Sequence, residues 1–204
     1  MSVFYTVNCR PLQDADELKR VLHMLHDDRR QKTIRLLQPQ KRAQSAAVGL
    51  LTNYLLRGHA VAYNEFGQPI VPNDPDTHIS PSHTGDWVFC AISDSPIGID
   101  AQVVSPRSQG VVERLFSPME RTATSDDDFT RIWTYKEAYY KQLGNAPMST
   151  IAITDFSRSP HYDTFTDCFY WHDYFRQSIH VTACVKKEQA LPSEIIELSI
   201  ADIT

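Results

Sequence analysis

The segment Pro96-Ile97-Gly98-Ile99-Asp100-Ala101-Gln102 constrains this chain more than any other. It reads as an apolar strand that delivers one carboxylate, Asp100, at its end. Further along, Trp133-Thr134-Tyr135-Lys136-Glu137-Ala138-Tyr139-Tyr140-Lys141 reads as a helix. There Trp133, Glu137 and Lys141 stand at i, i+4 and i+8, so all three lie near one face. A fold that brings Asp100 to Glu137 sets two oxygen ligands beside a lysine, which is what a hard cation needs to manage a phosphate or pyrophosphate. Each residue alone has an ordinary alternative. Aspartates close strands in turns, acid–base pairs decorate solvated helix faces, and a tryptophan anchors a core.

With 204 residues the chain makes one medium domain or two packed halves of roughly 100 residues. A hydrophobic share of 42% and a charged share of 22% suit a soluble globular protein with a sizeable core. The net charge of -5 argues against non-specific nucleic-acid binding, for which only the basic stretch Arg29, Arg30, Lys32, Arg35, Lys41 and Arg42 speaks. By default that stretch is a solvated face. Cys9, Cys90, Cys168 and Cys184 show no metal-ligand spacing, and three of them sit in apolar, strand-like runs as small buried hydrophobes. The N-terminus lacks the pattern of a signal peptide, and no apolar run approaches the ~18 residues of a membrane span. A cytoplasmic protein without membrane or nucleic-acid partners is the expectation.

Val3, Tyr5 and Val7 alternate as in a half-buried first strand, and a helix follows from about Ala15. The cleanest helix opens near Pro39 and keeps Ala43, Ala46, Ala47, Leu50, Leu51, Tyr54 and Leu55 on one stripe up to Gly58. Its alanines imply a close neighbour. The stretch from Tyr63 to Gly85 is loop-like, and two short strands, Trp87–Ile92 and Ile97–Val103, come after it. A short helix around Val111–Phe116 precedes a longer one from about Asp127 to Leu143, opened by Ser125 and Asp128 and stopped by Gly144. Strands are expected at Ile151–Thr154, Phe165–Phe175, Ile179–Val185 and Ile195–Ile200. Strand, helices and hairpin recur in both halves, which suggests a duplicated α+β unit.

Ser80-Pro81-Ser82-His83-Thr84-Gly85 reads either as a structural turn or as a loop offering imidazole and hydroxyl donors to phosphoryl oxygens. His23 and His26 lack the partners of a metal site. The aromatic run Phe169–Phe175 alternates like a strand on a core and could equally present a rim to a partner.

In this order the segments resemble the phosphopantetheinyl transferases of the Sfp type. Gly98-Ile99-Asp100-Ala101-Gln102 is similar to that family's Gly-Ile-Asp-Ile-Glu, and Trp133, Lys136, Glu137, Ala138 and Lys141 match its Trp-x-x-Lys-Glu-Ala-x-x-Lys. Phe66-Gly67-Gln68-Pro69 resembles its Gly-Lys-Pro, and Ile79-Ser80-Pro81-Ser82-His83-Thr84 its Phe-Asn-x-Ser-His-Ser. The resemblance covers roughly Arg29 to Gly144. It departs at Gln102, where an acid is usual, at Gln68, where a lysine is usual, and at Gly144-Asn145-Ala146, a reduced glycine-rich stretch.

The resemblance implies an α+β fold of two similar, pseudo-symmetric α/β lobes, each a small, mostly antiparallel sheet with a packed long helix. Residues 1–104 form the first lobe and 105–204 the second. It implies transfer of the 4′-phosphopantetheine group of coenzyme A to a serine of an acyl- or peptidyl-carrier protein by a monomer, with release of adenosine 3′,5′-bisphosphate. Asp100 and Glu137 match its magnesium ligands, with Gln102 contributing through water. Glu137 is also the candidate base, and Lys141 lies by the pyrophosphate. His83, Ser82, Arg29, Lys32, Gln68, Pro69 and Lys136 are the implied coenzyme A contacts. The alternative is a degenerate module that binds coenzyme A or a carrier protein without turnover.

Overall fold

The computed structural model describes residues 2–123, 125–188, 191 and 194–204. Numbered in chain order, the strands are β1 (Val3–Asn8), β2 (Ala62–Tyr63), β3 (Pro69–Ile70), β4 (His78–Thr84), β5 (Trp87–Ser93), β6 (Ile97–Val103), β7 (Tyr162–Asp163), β8 (Cys168–Phe175), β9 (Ile179–Val185) and β10 (Ile195–Leu198). One sheet has the order β10-β1-β5-β4, with β10 parallel to β1 and the other pairs antiparallel. A second, antiparallel throughout, has the order β6-β9-β8-β7, and β2 and β3 form a small hairpin. The strand nearest the C-terminus thus completes the N-terminal sheet, while β6 opens the second.

Strict alternation decides which side chains face which layer. From β1 and β5, Phe4, Phe89 and Ala91 meet Ile97, Ile99 and Ala101 of β6 and Val181 and Ala183 of β9 in a core between the two sheets. Phe4 and Trp171 meet edge to face at 5.7 Å, as do Phe89 and Phe175 at 5.3 Å. Val7, Val88 and Cys90 point the other way, onto helices α1 (Ala15–Val21) and α3 (Pro39–Leu55). Against α3 lies α2 (Asp27–Arg35), which carries the basic stretch. The alanines Ala43, Ala46 and Ala47 are fully buried, so the expected close neighbour of α3 is the first sheet.

The outer face of the second sheet is covered by α5 (Asp126–Leu143), while α4 (Gln109–Leu115) packs beside it. The layers run helix, sheet, sheet, helix, an α+β arrangement as the sequence implies. On β6 the even positions Gly98, Asp100 and Gln102 face α5. A slip of one residue would turn Asp100 into the apolar core between the sheets.

The ends of α5 follow the sequence reading. Ser125 accepts from the Asp128 N–H at 3.0 Å, and Gly144 takes φ +70. Gly98 faces α5 for a steric reason: a Cβ there would lie 1.9 Å from the Ala138 carbonyl oxygen and 2.5 Å from the Gln142 nitrogen. Backbone meets backbone at that point, and this contact brings Asp100 against the helix.

Three expectations are corrected. Residues 78–84 are not loop but strand β4, with Pro81 accommodated. Asp100 lies in the middle of β6, not at its end. Residues 151–154 are not a strand, because Met148–Ile153 winds as a 3₁₀ helix. The carbonyls of Ile151 and Thr154 turn to the Lys136 ammonium at 2.8 and 3.0 Å, which removes them from any ladder. Lys136 also pairs with Glu120 at 2.9 Å, and both side chains are wholly buried. All four cysteines are free and buried, as expected. Among the described residues no helix is long and apolar enough to cross a membrane.

Gly98→Ala should destabilise the chain by roughly 3 kcal/mol or more, since neither backbone neighbour can yield cheaply. A shift of the urea midpoint measures it, and an unchanged midpoint would contradict the close approach. Lys136→Met should cost roughly 3–5 kcal/mol by stranding the Glu120 carboxylate, and adding Glu120→Gln should recover part of that loss. Additive losses in the double variant would dissolve the pair.

Candidate active site

The second sheet reaches the first through side chains. Along β4, Ser80, Ser82 and Thr84 accept hydrogen bonds from the N–H groups of Ile99, Ala101 and Val103 at 3.0, 3.1 and 2.9 Å. Every rung joins residues 19 apart, so β4 and β6 run parallel there, linked by hydroxyls instead of a backbone ladder. The pattern Ser-Pro-Ser-His-Thr supplies the three hydroxyls at the period of a strand.

Between two of these rungs sits Asp100, nearly buried. Its Oδ1 accepts from the Ser82 hydroxyl at 2.8 Å and from Lys141 Nζ at 2.7 Å. Lys141 also donates to the Ile99 carbonyl at 3.0 Å. One turn earlier on α5, Glu137 is half-buried, and among the described residues its carboxylate makes no hydrogen bond or ion pair. Burial raises its pKa to about 7, and the Asp100 charge adds to the rise while Lys141 opposes it.

Among the described residues no three His, Cys, Asp or Glu side chains gather into a metal site, and the carboxylates near Lys141 are those of Asp100 and Glu137. That donor set fits magnesium, which takes one or two carboxylates and completes its octahedron with phosphates and waters. Burial, more than repulsion from Asp100, works against the charge of Glu137, and Lys141 offsets part of it. Gln102 lies two residues beyond Asp100 on the same strand face.

His83 lies on β4 with its edge exposed. Surrounding protein lowers its pKa to about 4, with Lys41 and Lys141 lowering it further and Asp100 opposing them. It is a neutral imidazole at neutral pH and can donate one hydrogen bond to an anion. Gln68 and Pro69 line a groove of about 490 Å³ shared with Lys141, Gly144 and Asn145. Asn64 ties that groove together. Its Oδ1 accepts from the N–H groups of Phe66 and Gln68 at 3.0 and 2.9 Å, and its amide donates to the Gly144 carbonyl at the end of α5.

Arg29 and Lys32 line a second groove, of about 1110 Å³, in which Arg29 hydrogen-bonds the Tyr63 hydroxyl. The pKa of Lys32 is lowered, by burial first and by Arg29 second. Two of the implied contacts have their polar groups engaged within the protein. Lys136 is sealed in the core by Glu120, Ile151 and Thr154. Ser82 gives its proton to Asp100 and accepts from Ala101. Sequence reasoning passed over the charge that Lys41 exerts on His83 and over Asn64 as the tether. The Asn64-Glu65-Phe66-Gly67 turn signal was available for the latter.

Residues 96–189, which hold β6 and α5, match the model of the 4′-phosphopantetheinyl transferase superfamily. The chain is 28% identical over 178 residues to the 4′-phosphopantetheinyl transferase Sfp of Bacillus subtilis (strain 168), covering 80% of this chain and 78% of that relative. It is 32% identical over 106 residues to a 4′-phosphopantetheinyl transferase of Bacillus subtilis, a match that spans 47% of each. To the 4′-phosphopantetheinyl transferase AcpT of Escherichia coli (strain K12) it is 29% identical over 125 residues, 56% of this chain and 64% of the relative. The Gly98–Asp100 strand and the Glu137–Lys141 helix both lie inside the matched span, and in that span the chain is similar to the 4′-phosphopantetheinyl transferases.

Proposed function

We propose that the chain transfers 4′-phosphopantetheine from coenzyme A to a serine hydroxyl of an acyl- or peptidyl-carrier protein and releases adenosine 3′,5′-bisphosphate. The observation that carries this reading is Glu137: a half-buried carboxylate with a raised pKa and no partner among the described residues, beside an Asp100 already held by Lys141. A residue that only stabilised the fold would be paired.

In this reading Asp100 and Glu137 would hold magnesium, with Gln102 contributing through a water, and such a cation would offset charge on the pyrophosphate. Glu137 accepts the serine proton as the serine oxygen forms its bond to the β-phosphorus of coenzyme A. The bond from that phosphorus to the bridging oxygen breaks, and the electron pair leaves with adenosine 3′,5′-bisphosphate. Lys141 sits where it can offset the charge gathering on that leaving group. His83, with Lys41 near it, is assigned to the 3′-phosphate, Arg29 and Lys32 to further phosphate contacts, and Gln68 and Pro69 to the nucleotide.

Residues 1–104 would then supply most coenzyme A contacts and 105–204 the helix bearing the base, in a cytoplasmic monomer. Catalysis is mainly positioning and charge stabilisation, because phosphoryl transfer asks little covalent chemistry of the protein.

The direct test mixes the protein with coenzyme A, magnesium and a panel of apo carrier proteins, then weighs the carriers. A gain of one phosphopantetheine is expected, and Glu137→Gln should lower the rate by roughly 10²–10⁴-fold. Coenzyme A binding without mass gain on any carrier would favour the binding-module alternative. Magnesium binding should also tighten as pH rises from about 6 to about 8, because the cation needs Glu137 ionised and the free carboxyl keeps its proton up to about 7. Calorimetry showing pH-independent affinity would exclude Glu137 from the cation site.

A further inference from the structure

Ser82 touches none of the reacting groups in the proposed chemistry, yet its single hydroxyl closes a circuit around Asp100. The Oγ accepts the Ala101 N–H at 3.1 Å and gives its one proton to Asp100 Oδ1 at 2.8 Å. The carboxylate is therefore tied to the peptide that follows its own residue through an atom borrowed from the other sheet. Oδ1 is further occupied by Lys141 Nζ at 2.7 Å. Among the described residues nothing engages Oδ2.

We propose that Ser82 is a positioning residue for the cation site, and that it fixes Asp100 so that Oδ2 alone is presented to the metal. This rests on the reading of Asp100 and Glu137 as the metal ligands. Two observations favour Ser82 over Lys141 as the fixed partner. Ser82 is 7% exposed and has no other acceptor, whereas the Lys141 side chain is 18% exposed and borders a groove. An ammonium at a groove wall will turn toward a bound pyrophosphate, and Asp100 then keeps its orientation only through the hydroxyl.

The fold contains its own control. Ser80 makes the same kind of rung, to the Ile99 N–H at 3.0 Å, and is equally buried, but it touches no carboxylate. Losing Ser80 removes one link between the sheets. Losing Ser82 removes one link and frees Asp100.

The experiment titrates Mn²⁺ into the full chain, with coenzyme A absent and present, and reads free Mn²⁺ by electron paramagnetic resonance. Thermal melts are run on the same samples. Ser82→Ala should weaken Mn²⁺ binding roughly 10- to 100-fold, as removal of a ligand's orienting partner typically does. Ser80→Ala should leave the affinity unchanged even where the two melts fall together. Ser82→Cys, close in size but a poor donor, should show the same weakening and serves if the alanine variant fails to fold. Equal losses in the Ser80 and Ser82 variants would reduce Ser82 to a sheet contact and overturn the proposal. Wild-type affinity in the Ser82 variants, beside lost affinity in Glu137→Gln, would overturn it while leaving the metal reading standing. Absence of Mn²⁺ binding by the wild type, even with coenzyme A, would overturn both.

Discussion

Three hydroxyl-to-backbone hydrogen bonds, from β6 N–H groups to Ser80, Ser82 and Thr84, govern the rest of this architecture. Each is a modest interaction, on the order of 1 kcal/mol net. Their importance lies in register. A backbone ladder would merge the sheets into one continuous surface. Hydroxyl rungs instead let the two sheets face each other across a shared apolar core while an edge of each stays in contact. The seam leaves the even residues of β6 free to meet α5. Asp100 is thereby held at a place where strand, helix and both sheets converge. Its orientation is over-determined as a result, because rigid elements hold geometry better than loops do.

The two carboxylates on this seam illustrate how environment divides labour between identical groups. Asp100 has a cation and a hydroxyl as partners, and its charge is balanced in place. Glu137 lies one turn from the same lysine, gains only part of that attraction, and is pushed up to about 7 by burial and by Asp100. One group is spent on structure and orientation. The other keeps its proton up to near neutrality because burial disfavours its charge. The buried Lys136–Glu120 pair is the opposite case: Lys136 donates to Glu120, Ile151 and Thr154, and the pair organises the loops beneath α5. In a motif that reads Lys136-Glu137, neighbouring charged residues serve unrelated ends because helical geometry turns them to different faces.

Much of this was legible beforehand. The stripe of alanines, the Ser125 cap, the Gly144 stop and the alternation in β1 are local signals, and local structure follows them. Elements fixed by distant partners were not legible. Residues 78–84 read as loop because Pro81 and the hydroxyl residues carry turn propensity, and only pairing with β5 makes them a strand. Ile151–Thr154 has strand composition, but an ammonium contributed by α5 recruits its carbonyls. Ser82 looked like a ligand contact because a serine beside a histidine invites that reading. Its true acceptor lies 18 residues away, on a strand whose facing no local pattern specifies.

The parallel pairing of β10 with β1 has a consequence for how the molecule is made. Strands joined across nearly the whole chain close a long loop, and such contacts form slowly. During synthesis Val3–Asn8 is made long before Ile195–Leu198 and must wait for it before its outer edge is covered. Until then the nascent first sheet presents an open strand, where β1 can pair only with β5 and where chaperones can bind. Completion of the first sheet therefore waits on β10, and the seam reaches its final rigidity only with it.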